Sequence, residues 1–339
     1  MKKFIFFTAH GVFFTFGVIQ FLIRGVNSER AHQALIYLFC ATGGYFNDWC
    51  SRIMSIWHKP LEQMNKIGMI GDMGGAFGDV ALRQLQEKGY IVFENALPSD
   101  VCDRLMNFAL TTPANIRAMD GEEKPLTPRE AIYSAEKPEA IRYDYKSSDL
   151  LLNPDVQNIM ADQSILALAE AYLQARPKLD VVSMWWHTRF HSRGDSEAAQ
   201  FYHFDMDRVK WLKVFIYLTD VGPNDDPHAF IAGSHRSGVI PQHFLNKGYK
   251  RLMDDEVFSH FGEKSEVKIA APRGTVLIED TRGFHKGSPV SGNPRLLLQM
   301  QLSNSLFGVS YPKAILPSQK TPALAAQLTR IADVYEAYL

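Results

Sequence analysis

The 339-residue chain is poor in cysteine, with only Cys40, Cys50 and Cys102. None of these belongs to a C-x-x-C pair, so the chain offers neither a zinc ribbon nor a disulfide framework. Their expected place is as small buried hydrophobes in a reducing compartment. An excess of one charge is lacking too. There are 36 basic and 37 acidic residues, a net charge of -1, and no basic run or stripe, which disfavours a nucleic-acid partner. Internal repeats and low-complexity tracts are absent. The glycine cluster "MIGDMGGAFG" (residues 69–78) does not match G-x-G-x-x-G after a strand, so it reads as a turn and not as a phosphate loop. What remains is a globular balance, 46% hydrophobic and 22% charged, enough for a sizeable core.

One long apolar run is present. "FIFFTAHGVFFTFGVIQFLI" (residues 4–23) has no formal charge and is followed by Arg24. Its length suits a membrane span, and it is too long for a signal-peptide core, with no small-x-small cleavage site close behind. A helix packed on the rest of the protein would show the same pattern, and His10 and Gln20 inside the run fit that reading. A second apolar stretch (residues 34–46) is broken by Gly43-Gly44. After it, Trp49, Ile53, Ile56 and Trp57 recur at helical spacing. Residues 1–79 are therefore expected to form a hydrophobic helical extension and a candidate membrane anchor. Residues 80–315 would be the main domain and 316–339 a closing helix that starts at Thr321-Pro322. Residues 119–150 are polar and read as a surface loop or lid, with Arg142, Tyr143 and Tyr145 as candidate substrate contacts.

From Val181 the rhythm changes. "VVSMWWHTRF", "QFYHFD", "WLKVFIYLTDV", "GTVLIED" and "RLLLQMQLSNS" are rich in β-branched, aromatic and long apolar residues, with turn residues between them. A more helical insertion lies between Gln242 and Glu266. Several short strands at this spacing predict a mainly β fold, a sandwich or jelly-roll barrel with flanking helices.

The chemistry concentrates in "QFYHFD". Strand alternation puts His203 and Asp205 on one face, where buried polar groups are costly unless something satisfies them. A satisfied core histidine is one reading. The other is a metal shared with a third ligand, and His285, in a glycine-flanked turn after a short strand, is the candidate. Two histidines and a carboxylate make the facial triad of non-haem iron(II) oxygenases, which leaves three adjacent coordination sites for a chelating cosubstrate and O2. Ten residues on, Arg295 opens "RLLLQMQLS". Leu296, Leu298, Met300 and Leu302 fall on one face, with Arg295, Gln299 and Gln301 on the other. A lumenal arginine needs an anion, either a bound carboxylate or an internal partner such as Glu279 or Asp280. His187 and His191 have same-face spacing on the preceding strand and are either lumenal or ordinary packing. Of Trp185 and Trp186, one should face the core and the other the lumen. His228 and His235 are expected to bond backbone.

Taken in order, "FYHFDMDRVKWLKVFIYLTDV", "PHAFIAGSHR" and "HKGSPVSGNPRLLLQ" resemble the phytanoyl-CoA dioxygenase family of iron(II)/2-oxoglutarate-dependent oxygenases. The resemblance runs from Leu82 to Tyr311. It implies a cupin-like double-stranded β-helix with His203, Asp205 and His285 as iron ligands. Arg295 and Ser288 would then hold the far carboxylate of 2-oxoglutarate, and Thr188 or Arg189, with Gln200, would touch it from the opposite wall. Fe(II), 2-oxoglutarate and O2 are the implied cofactors and cosubstrates. The implied activity is hydroxylation of a small-molecule or lipid-like substrate, with release of succinate and CO2. Asp205 keeps the carboxylate that the family's halogenases lack. The chain has Ala232 before Gly233 where the family commonly has proline, a change in a turn. The expected location is cytoplasmic, with attachment to the inner face of a membrane through residues 4–23 as an option. A cupin-type isomerase or hydrolase without 2-oxoglutarate and a non-catalytic membrane-attached binding protein are the alternatives.

Overall fold

A computed structural model describes residues 2–61, 65–117, 129–190, 200–248, 250–288, 290 and 292–339. Its strands are β1 (Ile67–Gly68), β2 (Gly71–Asp72), β3 (Tyr90–Phe93), β4 (Ala114–Ile116), β5 (Glu130–Ala131), β6 (Arg142–Asp144) and β7 (Lys178–His187). Then follow β8 (Trp211–Tyr217), β9 (His228–Ile231), β10 (Glu266–Ile269), β11 (Val276–Glu279), β12 (His285–Lys286) and β13 (Arg295–Ser303). Apart from the β1-β2 hairpin, they form an eight-stranded sheet in the order β3-β11-β8-β13-β7-β6-β4-β5 and a three-stranded sheet β10-β9-β12. Neighbouring strands are antiparallel throughout.

Period-2 alternation decides what each face does. Leu296, Leu298, Met300 and Leu302 of β13 join the main core, which they share with the helices Ala76–Lys88, Ser99–Thr111 and Gln163–Leu173. Each such side chain stabilises by about 1.5–3 kcal/mol when buried. A one-residue register slip would turn all four outward, so the register is strongly specified. The other face meets the small sheet. There Trp185, Phe215, Tyr217, Leu277 and Leu297 pack with Ile269, Val221 and Ala271. The result is mainly β, a cupin-like double-stranded β-helix with flanking helices, as expected.

Three helices precede it: α1 (Lys2–Arg24), α2 (Glu29–Thr42) and α3 (Tyr45–Trp57). The Ser28 hydroxyl caps α2 by accepting from Ala31 N, and α2 ends on Gly43 at φ +63°, a left-handed position that glycine takes at little cost. α1 lies directly on α2. A Cβ at Gly17 would sit 2.1 Å from the Ala31 side chain, so only glycine allows that approach. α2 buries Leu35, Leu38 and Phe39 in a cluster that also contains Phe204, Met206, Phe284 and Phe307 of the β domain. The helices are thus packed against the segment that carries His203 and Asp205.

Two expectations need correction. "QFYHFD" is not a continuous strand, for only isolated bridges form, Tyr202 with Leu252 and His203 with His285. The Asp205 N–H turns to Thr281 O, in the turn before β12, which breaks the ladder. Nor is all of 119–150 a surface loop. Residues 119–128 lie outside the described residues, but β6 sits inside the large sheet, paired with β7. Alternation along it sends Tyr143 and Tyr145 into the core, which removes them as substrate contacts. The closing helix runs Pro322–Ile331 with Thr321 as its cap.

Candidate metal centre and cavity

His203 comes from the irregular segment, His285 from β12, and the two backbones exchange hydrogen bonds: His203 N to His285 O at 3.1 Å and His285 N to His203 O at 2.9 Å. That reciprocal bridge brings the rings to a centroid separation of 4.2 Å. Asp205 joins them two residues on. One ligand atom from each of His203, Asp205 and His285 falls within 4.8 Å of the others. His203 Nε2 lies 3.7 Å from Asp205 Oδ1, and His285 Nε2 lies 3.4 Å from Asp205 Oδ2.

The far side of each ring is fixed. His203 Nδ1 is 2.8 Å from Phe201 O, and His285 Nδ1 is 2.9 Å from Gly283 O. A carbonyl only accepts, so each Nδ1 carries a proton, which leaves Nε2 as the ring atom turned towards a metal position. Burial, then the facing His285 ring, push the His203 pKa well below its usual value; the ring stays neutral, as a ligand must be. Burial opposes ionisation of Asp205, but the Lys213 ammonium beside it holds its carboxyl well below the usual range. Two imidazole nitrogens and one carboxylate, all buried, form a donor set that fits iron(II).

Lys213 is a site residue that motif reading passed over. Its Nζ donates to Asp205 Oδ2 at 2.5 Å and lies 3.3 Å from Asp207. Burial works against its charge, yet Asp205 and Asp207 raise its pKa well above the ordinary lysine value. The signal was there: Lys213 is the only charged residue of β8, and it shares a face with Phe215 and Tyr217.

The triad opens into a cavity of about 840 Å³, lined also by Lys213, Trp185, His187, Arg142, His228 and Arg295. Arg295 faces it, as alternation predicts, with only 3% of its surface exposed. Its Nη1 donates to Asp226 O and its Nη2 to Ser288 O at 2.6 Å; Nε has no partner. Neither suggested internal counter-ion reaches it. Glu279 pairs with His228 at 2.9 Å, and Asp280 with Arg282 at 2.7 Å. Among the described residues, therefore, Arg295 is a buried cation with no ion pair.

The remaining candidates divide. Ser288 reaches Arg295 through its carbonyl, while its hydroxyl donates to Pro227 O at 3.3 Å. Thr188 is buried and donates to Ala140 O at 2.5 Å; neither Thr188 nor the buried Gln200 lines the cavity. Arg189 does not line it either. Trp185 lines it and Trp186 sits in the core, as alternation requires. The Arg142 guanidinium lies 4.3 Å above the Trp185 ring. His187 faces the cavity, and neither ring nitrogen has a partner among the described residues. Burial, with Arg142 and Arg295 nearby, depresses its pKa strongly. His191 lies outside the described residues. His228 bonds the Glu279 carboxylate and not backbone, which corrects the expectation; His235 does bond backbone, at Gln86 O, 3.1 Å away.

The phytanoyl-CoA dioxygenase (PhyH) family model matches residues 85–296. No curated protein sequence gives a significant match. Among solved structures, EctD from S. alaskensis with 2-oxoglutarate and 5-hydroxyectoine aligns at TM-score 0.50 and 16% identity, covering 79% of this chain and 93% of that one. HygX from Streptomyces hygroscopicus, with nickel, 2-oxoglutarate and hygromycin B bound, aligns at 0.43 and 14%, covering 67% and 87%. At these identities the likeness to EctD is one of fold.

Proposed function

The chain belongs to the phytanoyl-CoA dioxygenase family, and on that premise we propose that it is an iron(II)/2-oxoglutarate-dependent dioxygenase that hydroxylates a small-molecule or lipid-like substrate. The observation that carries this reading is the convergence of His203, Asp205 and His285, in the cavity that also holds Arg295, a buried cation with no ion pair among the described residues. When bound, iron(II) with 2-oxoglutarate and O2 supplies the oxidising chemistry, releasing succinate and CO2.

The chain's own part is positioning. His203, Asp205 and His285 would hold the metal, their orientation set in advance by the Phe201 and Gly283 carbonyls. Arg295 would take the far carboxylate of 2-oxoglutarate, its fork already aimed by Asp226 O and Ser288 O. Such preorganisation removes the entropic cost of orienting the cosubstrate at the moment of reaction. Phe215, Leu277 and Leu297 make the lining locally apolar and exclude water. Trp185 and Arg142 form the wall on the β6–β7 side, where substrate would be recognised.

The test is succinate release from 2-oxoglutarate by the purified chain, with and without Fe(II) and O2, alongside iron content. Turnover should require both, and Asp205→Ala should abolish coupled turnover and lower bound iron. Turnover that ignores Fe(II) or O2, or an Asp205→Ala variant with native activity, would reject the assignment. An isomerase or hydrolase would leave 2-oxoglutarate unconsumed.

A further inference from the structure

α3 carries an unusual apolar load on its outward side. Its buried side carries polar residues: Asn47 donates to Val209 O at 3.0 Å, and Ser51 accepts from Asn304 at 3.0 Å. Its outward side carries Tyr45, Trp49, Ile53, Ile56 and Trp57, of which Ile56 and Trp57 are 68% and 69% exposed. Cys50, Phe46 and Met54 join the core beside these polar groups, so α3 is apolar on both sides. A helix that faces solvent with tryptophan and isoleucine departs from ordinary surface amphipathicity. α1 repeats the theme. One side packs on the protein, where His10 stacks on Tyr37 at 3.9 Å and Phe14 meets Phe307 edge-on at 5.4 Å. The opposite side exposes Val12, Phe13, Phe16, Ile19 and Ile23. The two helices touch where Phe14 packs on Phe46, whose ring is 5.9 Å from that of Trp49.

We propose that the outward faces of α1 and α3 form a docking surface for a lipid bilayer, on which the enzyme lies without crossing it. Three observations select lipid as the occupant. Apolar side chains with tryptophans among them, on two helices held lengthwise against the domain, suit the headgroup–acyl boundary. Exposed cations flank them: α1 contains no acidic residue, the exposed Arg24 and Arg52 border the faces, and the single acid of α3, Asp48, is engaged with Arg282 and Ser237. Glu29, which opens α2, accepts from Gln33 and is followed by the exposed Arg30. Anionic lipid complements that charge, whereas a second copy would set the same cations against each other. Finally, the helix with enough length and apolar composition to span, Phe7–Arg24, has one side committed to α2, which leaves it a single face for lipid.

The cavity gives the surface a purpose. Gly25, Val26 and Asn27, the turn that ends α1, line the cavity, and Val26, 52% exposed beside Ile23 and Leu22, puts this part of the lining at an open edge. A docked enzyme would therefore hold that edge at the membrane surface, where an amphiphilic substrate could enter. This last step rests on the cavity being the active site proposed above; the docking itself does not.

The experiment uses the full chain with sedimented vesicles of phosphatidylcholine alone or mixed with phosphatidylglycerol. Trp185, Trp186 and Trp211 are buried and Trp49 and Trp57 exposed, so quenching of tryptophan fluorescence by brominated lipid reports on α3. Native protein should bind, more strongly to the anionic vesicles, and be quenched. Trp49→Ser, Ile56→Ser and Trp57→Ser together should weaken binding by on the order of a hundredfold. Their vesicle-free succinate release should be unchanged, which also shows that the variant folds. No vesicle binding by native protein, binding without quenching, or equal binding by the triple variant would overturn the inference. So would a native dimer that the variant dissolves without any lipid binding, or resistance of the protein to alkaline carbonate extraction, the mark of a spanning helix. Turnover without vesicle binding sinks docking alone; vesicle binding without turnover sinks only the enzymatic reading.

Discussion

Replacement of Arg295 by alanine tests the centre of the functional proposal. The guanidinium is buried, donates to two main-chain carbonyls and keeps Nε unpartnered, with no ion pair among the described residues. Breaking a buried, hydrogen-bonded charge pair costs about 2–5 kcal/mol. If that pair forms with 2-oxoglutarate, Arg295→Ala should raise the 2-oxoglutarate KM by about 30-fold to a few thousandfold. Arg295→Lys, which keeps the charge but loses the fork, should fall between. Ligand-induced stabilisation supplies a second reading that needs no turnover. A ligand at about 100 times its Kd adds about 2.7 kcal/mol. With about 2.1 cal/mol/K of unfolding entropy per residue, that is a rise of roughly 4 °C in Tm for this chain. The metal-loaded native protein should show this shift with added 2-oxoglutarate, and Arg295→Ala should lose it at the same concentration. A variant whose KM stays within about threefold of native, and whose melting shift persists, would show that Arg295 holds something else.

Two further predictions concern stability. Arg282→Met strands Asp280, which is fully buried and bonded to Tyr172 at 2.6 Å, and should cost about 3–5 kcal/mol in urea denaturation; a loss below about 1 kcal/mol would mean that the pair behaves like a surface one. Burial lowers His235 to a pKa of about 4 from 6.5. The folded state disfavours its protonation, so the stability it contributes is complete above pH 6.5 and declines as pH falls towards 4, by up to about 3 kcal/mol. Urea midpoints across that window should fall in the native protein and flatten in His235→Asn; parallel slopes would assign the loss to other groups.

Alternation and spacing carried much of the site. Arg295 and Trp185 sit in regular strands of the large sheet, so a period of two was enough to turn them inward and Trp186 to the core. The same period, applied to β8 and β6, also marks Lys213 and Arg142 as inward and Tyr143 as core, provided one knows that those segments are strands. Residues 142–144 hid this because three polar-flanked residues do not announce a strand; their place in the sheet comes from pairing with β7, a contact 41 residues away or more. The partner of His228 is hidden from local sequence for a similar reason, since the Glu279 carboxylate lies 51 residues on.

Local chemistry alone thus determined the residue types at the centre, the β class of the domain and the inward face of its regular strands, because these follow from side-chain period and donor identity. The folded chain decided the rest. It joined His203 to His285 by reciprocal backbone bonds, brought α2 up against the ligand-bearing segment and Asp48 to Arg282, and left the apolar faces of α1 and α3 pointing away from the protein. Those outcomes depend on which distant surfaces meet, and the energy of such meetings belongs to pairs of segments that no single stretch of chain contains.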